Sequence, residues 1–188
     1  MRVLIAALAA VLVMPVSAGA GASTKASTTS DASPASSEIL KVSMTAYNAV
    51  PAQTDVTPYI TASGAYSNPN VVAARSDDLA QALPFGTVIE IESASSSASC
   101  GYGAVGKDIG LRVIADAMNV KEKNKIDILM PQSQTSASGK KENPALVLGV
   151  CKNVTIKVVG HIDIASIPKT QSALAAAVDS SAELAVAN

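Results

Sequence analysis

The chain has no tryptophan, one phenylalanine and four tyrosines among its 188 residues. A core with so few rings must be filled by Val, Ile, Leu and Ala, and branched aliphatics pack best on pleated strands. The same scarcity argues against a broad aromatic platform for stacking ligands. Histidine occurs once, as His161, and cysteine twice, as Cys100 and Cys151. Their spacing matches no zinc pattern, so neither a metal nor another cofactor is expected. Charged residues make up 15% of the chain, its net charge is -1, and Lys and Arg are scattered. No basic face results, which argues against nucleic acid as a partner.

Long apolar runs are missing too, save one at the start. Arg2 precedes an apolar stretch from Val3 to Val16, and small residues follow through Ser17-Ala18-Gly19-Ala20. The stretch is short for a membrane span of roughly 20 residues. Its order of basic start, apolar middle and small-residue end is that of a secretory signal peptide, cut after Ala18 or Ala20. The expected product is exported, has no membrane span, and works where ATP and reduced nucleotides are scarce. In an oxidising compartment the leading use of Cys100 and Cys151 is a disulfide, worth about 2–4 kcal/mol. A nucleophilic pair of one cysteine with His161 is the formal alternative.

Beyond the leader (1–20), residues 21–37 are mostly Ala, Ser and Thr and bury too little to order, so they read as a flexible tether. The folded part is expected over 38–168. An Ala-rich tail over 169–188 fits either a weak helix or disorder. Alternating or short apolar runs at 40–47, 71–74, 88–92, 110–115, 125–130 and 154–164 predict about six strands. Short helical turns are expected after Ser76 and before Gly149. The result is an all-β chain, mainly β with short helices, in a compact barrel or sandwich.

Against this apolar background two carboxylates stand out. Asp127 sits inside Lys125-Ile126-Asp127-Ile128-Leu129-Met130, and Asp116 inside Val113-Ile114-Ala115-Asp116-Ala117-Met118-Asn119. A strand rich in Ile and Leu has little use for a carboxylate unless the group is paired or employed. Alternation sends Ile126, Ile128 and Met130 to the core and Asp127 and Leu129 the other way. In the earlier strand Leu111, Val113 and Ala115 share one face and Asp116 takes the opposite one. Apolar neighbours raise a carboxyl pKa, which suits a general acid, and a second carboxylate raises it further. Both aspartates also fit a structural role, capping turns or pairing with Lys121, Lys123 or Lys125.

Four segments, in order, resemble the 3D domain of bacterial exported proteins: Thr45-Ala46-Tyr47, then Thr54-Asp55-Val56-Thr57-Pro58-Tyr59-Ile60-Thr61-Ala62-Ser63-Gly64, then Leu83-Pro84-Phe85-Gly86-Thr87, then Asp116 with Asn124-Lys125-Ile126-Asp127. That domain is the barrel of membrane-bound lytic transglycosylase A and of resuscitation-type muralytic proteins. The resemblance implies a six-stranded double-psi β-barrel that cleaves peptidoglycan between N-acetylmuramic acid and N-acetylglucosamine, leaving a 1,6-anhydro end. It implies Asp127 as the acid/base, Asp116 as its neighbour, and a third aspartate at Asp78, with Asp77 and Asp55 as other candidates. Thr45 and Tyr47 would contact sugar. Where the transglycosylase form has Thr-Gly-Gly, this chain has Ala117-Met118-Asn119, and Asn119 would supply a hydrogen bond instead. The expected partner is the glycan strand of the periplasm or cell wall, met by a monomer. The competing expectation is a barrel of expansin type that binds wall polysaccharide without cutting it.

Overall fold

The computed structural model describes residues 38–95, 97–136 and 138–186, so the leader, the tether and the end of the tail lie outside them. In chain order the elements are β1 Ile39–Tyr47, β2 Val72–Arg75, β3 Thr87–Ser93, α1 Tyr102–Val105, β4 Arg112–Ala117, β5 Lys125–Leu129, β6 Gln134–Thr135, β7 Lys141–Glu142, α2 Pro144–Leu148, β8 Cys151–His161 and α3 Gln171–Val186. Six strands close into one barrel in the order β1-β5-β2-β4-β3-β8, while β6 and β7 form a separate small hairpin. The β1–β5 and β2–β4 contacts are parallel and the other barrel contacts antiparallel. The all-β barrel expected from the alternating runs is the fold.

Alternation builds two apolar layers from the same strands. Val42, Met44, Ala73, Ile114, Ile126 and Ile128 turn inward and fill the barrel. Val72, Val113, Ala115 and Leu129 turn outward into a second cluster, which also holds Leu174 and Val178 of α3. Those two are four residues apart, so they share one helix face. The Ala-rich tail is therefore helical over its described part because the outer side of the barrel is itself apolar. Gln171 fixes where α3 starts: its Oε1 accepts from Leu111 N and its Nε2 donates to Leu111 O, both at 2.9 Å.

The Pro-Phe-Gly-Thr segment is a turn into β3. Thr87 Oγ1 donates to Pro84 O at 2.7 Å, and Phe85 lies 5.0 Å under the Arg75 guanidinium. Gly86 has φ +96° and packs against the Ile162 carbonyl, so both backbone conformation and space demand glycine there.

Cys100 and Cys151 are disulfide-bonded at a sequence separation of 51, and tie the segment before α1 to the start of β8. A loop of that length corresponds to about 4 kcal/mol in the chain-entropy account. Reduction is expected to lower the urea midpoint by a corresponding amount, and thiol labelling of the folded protein to find no free cysteine. An unchanged midpoint in reductant would contradict this.

Candidate active site

One row of residues runs across four adjacent strands. Thr45 of β1 pairs with Asp127 of β5, Asp127 with Ala74 of β2, and Ala74 with Asp116 of β4. Strict alternation along β4 would turn Asp116 inward with Ile114. It does not, because the register slips between Ala73, which faces Ile114, and Ala74, which faces Asp116. Ala115 is the extra residue of a β-bulge, and the bulge moves Asp116 to the face that carries Asp127. Two strand spacings of about 4.8 Å separate the aspartate backbones, with only the Ala74 methyl between them.

The two carboxyl groups are held differently. Asp127 is half-buried, and its one hydrogen bond among the described residues is from Thr45 Oγ1 to Oδ1 at 2.8 Å. Burial is the main cause that pushes its pKa up to about 6, against the Thr45 hydroxyl and the Lys125 charge, which pull it down. The charges of Glu122 and Asp116 add to the rise. Asp116 instead accepts three bonds: Tyr47 OH to Oδ2 at 2.8 Å, and Ala62 N and Ala117 N to Oδ1 at 2.9 Å each. Burial, then the Asp116 charge, holds the Tyr47 phenol well above its ordinary pKa, so it stays a donor. Thr45 and Tyr47, expected to touch sugar, each spend their hydroxyl on an aspartate.

Around this row lies an open groove of about 660 Å³, a size usual for small-molecule sites. One wall is the segment from Gln53 to Ala62, latched to the barrel by Ala62 N on Asp116 and by Ser63 N on the bulge carbonyl of Ala115 at 3.1 Å. Asp55 stands on that wall, fully exposed. Its Oδ1 accepts Thr57 N at 2.7 Å and Thr57 Oγ1 at 2.8 Å, which holds the carboxyl below the usual range. Asn119 also lines the groove, its Oδ1 accepting Lys121 N at 3.1 Å. Lys125 and Glu122 pair with each other there. They were not among the residues expected at the site, although Lys125 lies two positions before Asp127 and so shares its face.

The other two candidates for a third aspartate are elsewhere. Asp78 does not line the groove; its Oδ2 accepts Asn124 N at 2.9 Å. Its carboxyl is held below the usual range first by the Ser76 hydroxyl and then by this bond. Ser76 Oγ in turn accepts Lys125 N at 3.0 Å, and Asn124 sits at φ 47°. Asp78 thus fastens the turn from which β5 carries Asp127. Asp77 faces Arg75 at 3.9 Å. The cysteines are joined to each other, His161 ends β8, and among the described residues no cluster of His, Cys, Asp and Glu could hold a metal. Among them, too, no helix is long and apolar enough to cross a membrane.

A comparison with protein-family models finds no match for this chain, and a search of curated proteins finds none either.

Proposed function

We propose that this chain is an exported lytic transglycosylase that cleaves peptidoglycan glycan with Asp127 as its single acid/base. The observation that carries the reading is Asp127 itself. It is a carboxyl raised to about 6, with one oxygen engaged by Thr45, lining an open groove. A group so placed holds a proton near neutral pH and has an oxygen to deliver it.

The chemistry needs no protein nucleophile. In its acid form Asp127 protonates the glycosidic oxygen as the bond to the muramyl anomeric carbon breaks. As carboxylate it then takes the proton from the muramyl C6 hydroxyl, whose oxygen closes on that carbon. Asp127 ends protonated again, no water is consumed, and the product carries a 1,6-anhydro ring. Asp116, oriented by Tyr47 and two backbone N–H groups, supplies negative charge near the oxocarbenium-like centre without reorganising. The resemblance to the 3D domain and a double-psi barrel points the same way. So does the leader, which sends the chain to the compartment where the substrate lies.

Digestion of purified sacculi tests this. Released fragments are expected to be one water lighter than hydrolysis products, by mass spectrometry. The rate should fall as pH rises through about 6, because the proton-donating form of Asp127 is lost there. Binding to sacculi with no fragment released would instead identify a polysaccharide-binding barrel.

A further inference from the structure

A second cleft, of about 890 Å³, lies beside the active groove and is lined by Tyr66, Ala65, Ile164, Ile167 and Lys169. One hairpin separates the two. Ile60 lines the active groove and Tyr66 the second cleft, and the two residues are paired across that hairpin. Directly opposed residues of an antiparallel pair project to the same face. Both are exposed, Ile60 by 53% and Tyr66 by 65%, so one apolar ridge leads from groove to cleft. The ridge is stiff: Thr61 N donates to Ala65 O and Ser67 N to Tyr59 O, each at 2.9 Å, and Ser63 N is tied to Ala115 O. The far wall is braced as well. Asn68 Nδ2 donates to Lys169 O at 3.0 Å, and Asp163 caps the turn Ile164–Ser166 through Ala165 N at 2.8 Å.

We propose that this cleft binds further sugar residues of the same glycan chain, with the Tyr66 ring stacked on a pyranose, so that the protein prefers long strands to short ones. The inference rests on the glycan reading of the active groove. A pyranose has an apolar C–H face and a polar rim. The cleft offers a matching ring and two isoleucines beside the polar side chains of Asn68 and Lys169. Because both walls are preformed, little ordering cost offsets the contact. The stem peptide attached to the glycan is the competing occupant.

The test measures binding of N-acetylglucosamine oligomers of increasing length to the full chain carrying Asp127→Asn, by calorimetry. Affinity is expected to rise with length and then level off. Adding Tyr66→Ala should weaken the long oligomers about tenfold and leave the shortest unchanged, while Tyr66→Phe, which keeps the ring, should bind like its parent. Absence of binding or of a length dependence, or an equal effect of Tyr66→Ala on long and short oligomers, overturns the proposal. So does a Tyr66→Ala effect confined to peptide-bearing disaccharides. Sacculi left uncut by the wild type, with the length and Tyr66 effects intact, would remove the transglycosylase reading alone.

Discussion

Replacing Asp127 by Asn is expected to reduce release of anhydro-ended fragments by about 10²–10⁴-fold, the range of general acid–base help, and to stabilise the fold at neutral pH. The two effects have one cause. An ordinary aspartate titrates near 3.8, and burial lifts Asp127 to about 6. Between those values the native state binds more protons than the unfolded chain, so stability falls as pH rises through the window. Above about 6 the folded protein carries the full cost of a half-buried charge. The gap corresponds to at most ~3 kcal/mol, and solvent at the groove mouth lowers that to about 1–2 kcal/mol. Asn keeps the shape and the oxygen that Thr45 bonds, and it removes the charge. Denaturant midpoints at pH 7 and pH 4 check this: the variant should gain at pH 7 and gain little at pH 4. An equal gain at both, or retained cleavage, would refute the assignment.

Arg112→Ala is expected to destabilise the barrel by about 2–4 kcal/mol, the combined cost of stranded carbonyl acceptors and a cavity. Arg112 is 1% exposed, and its guanidinium has no carboxylate partner among the described residues. It serves carbonyls instead. Nη1 donates to Pro69 O at 2.7 Å and Leu129 O at 3.1 Å, and Nη2 to Asp108 O at 3.4 Å. Burial pulls its pKa down to about 10, so it remains charged at neutral pH. Removing it strands buried acceptors, each costing about 1–3 kcal/mol, and leaves a cavity. Arg112→Lys should recover only part of the loss, because one ammonium cannot reach carbonyls that a planar fork spans. A urea midpoint unchanged in Arg112→Ala would mean that water serves those carbonyls equally well. The consequence reaches the site, since Leu129 is two residues from Asp127 on β5.

The barrel was legible because its strands are written in alternation. Val42 and Met44 against Thr45 and Tyr47, or Ile126 and Ile128 against Asp127, each declare a face. So was the outward turn of Asp127. Asp116 reached the same face by a route no alternation reveals. The bulge at Ala115 leaves no mark in residue type, and without it the side chain would point into the barrel. Leu129 shares the Asp127 side as expected, yet it is fully buried, because it belongs to the outer apolar cluster that also takes in Leu174 and Val178 of α3. Clustering with a distant helix is a tertiary event, and the Ala-rich composition of the tail concealed it. The last strand, read over 154–164, runs from Cys151 to His161. It begins earlier, where the disulfide holds it, and stops where Asp163 caps the following turn. Asp78 had the right residue type near the right motif, and only the backbone of Asn124 explains what it does. Thr45 and Tyr47 belonged to the site, but their partners lie across strands, at 82 and 69 positions' remove.

Ala74 is the narrowest residue of the row, and its place between the two carboxylates has a thermal consequence. The spacing of their backbones is counted in rungs, from β5 to β2 to β4. Warming that shakes the surface segments leaves such a ruler intact. The backbone spacing can widen only when the rungs themselves part, so it should persist up to the cooperative melting of the barrel.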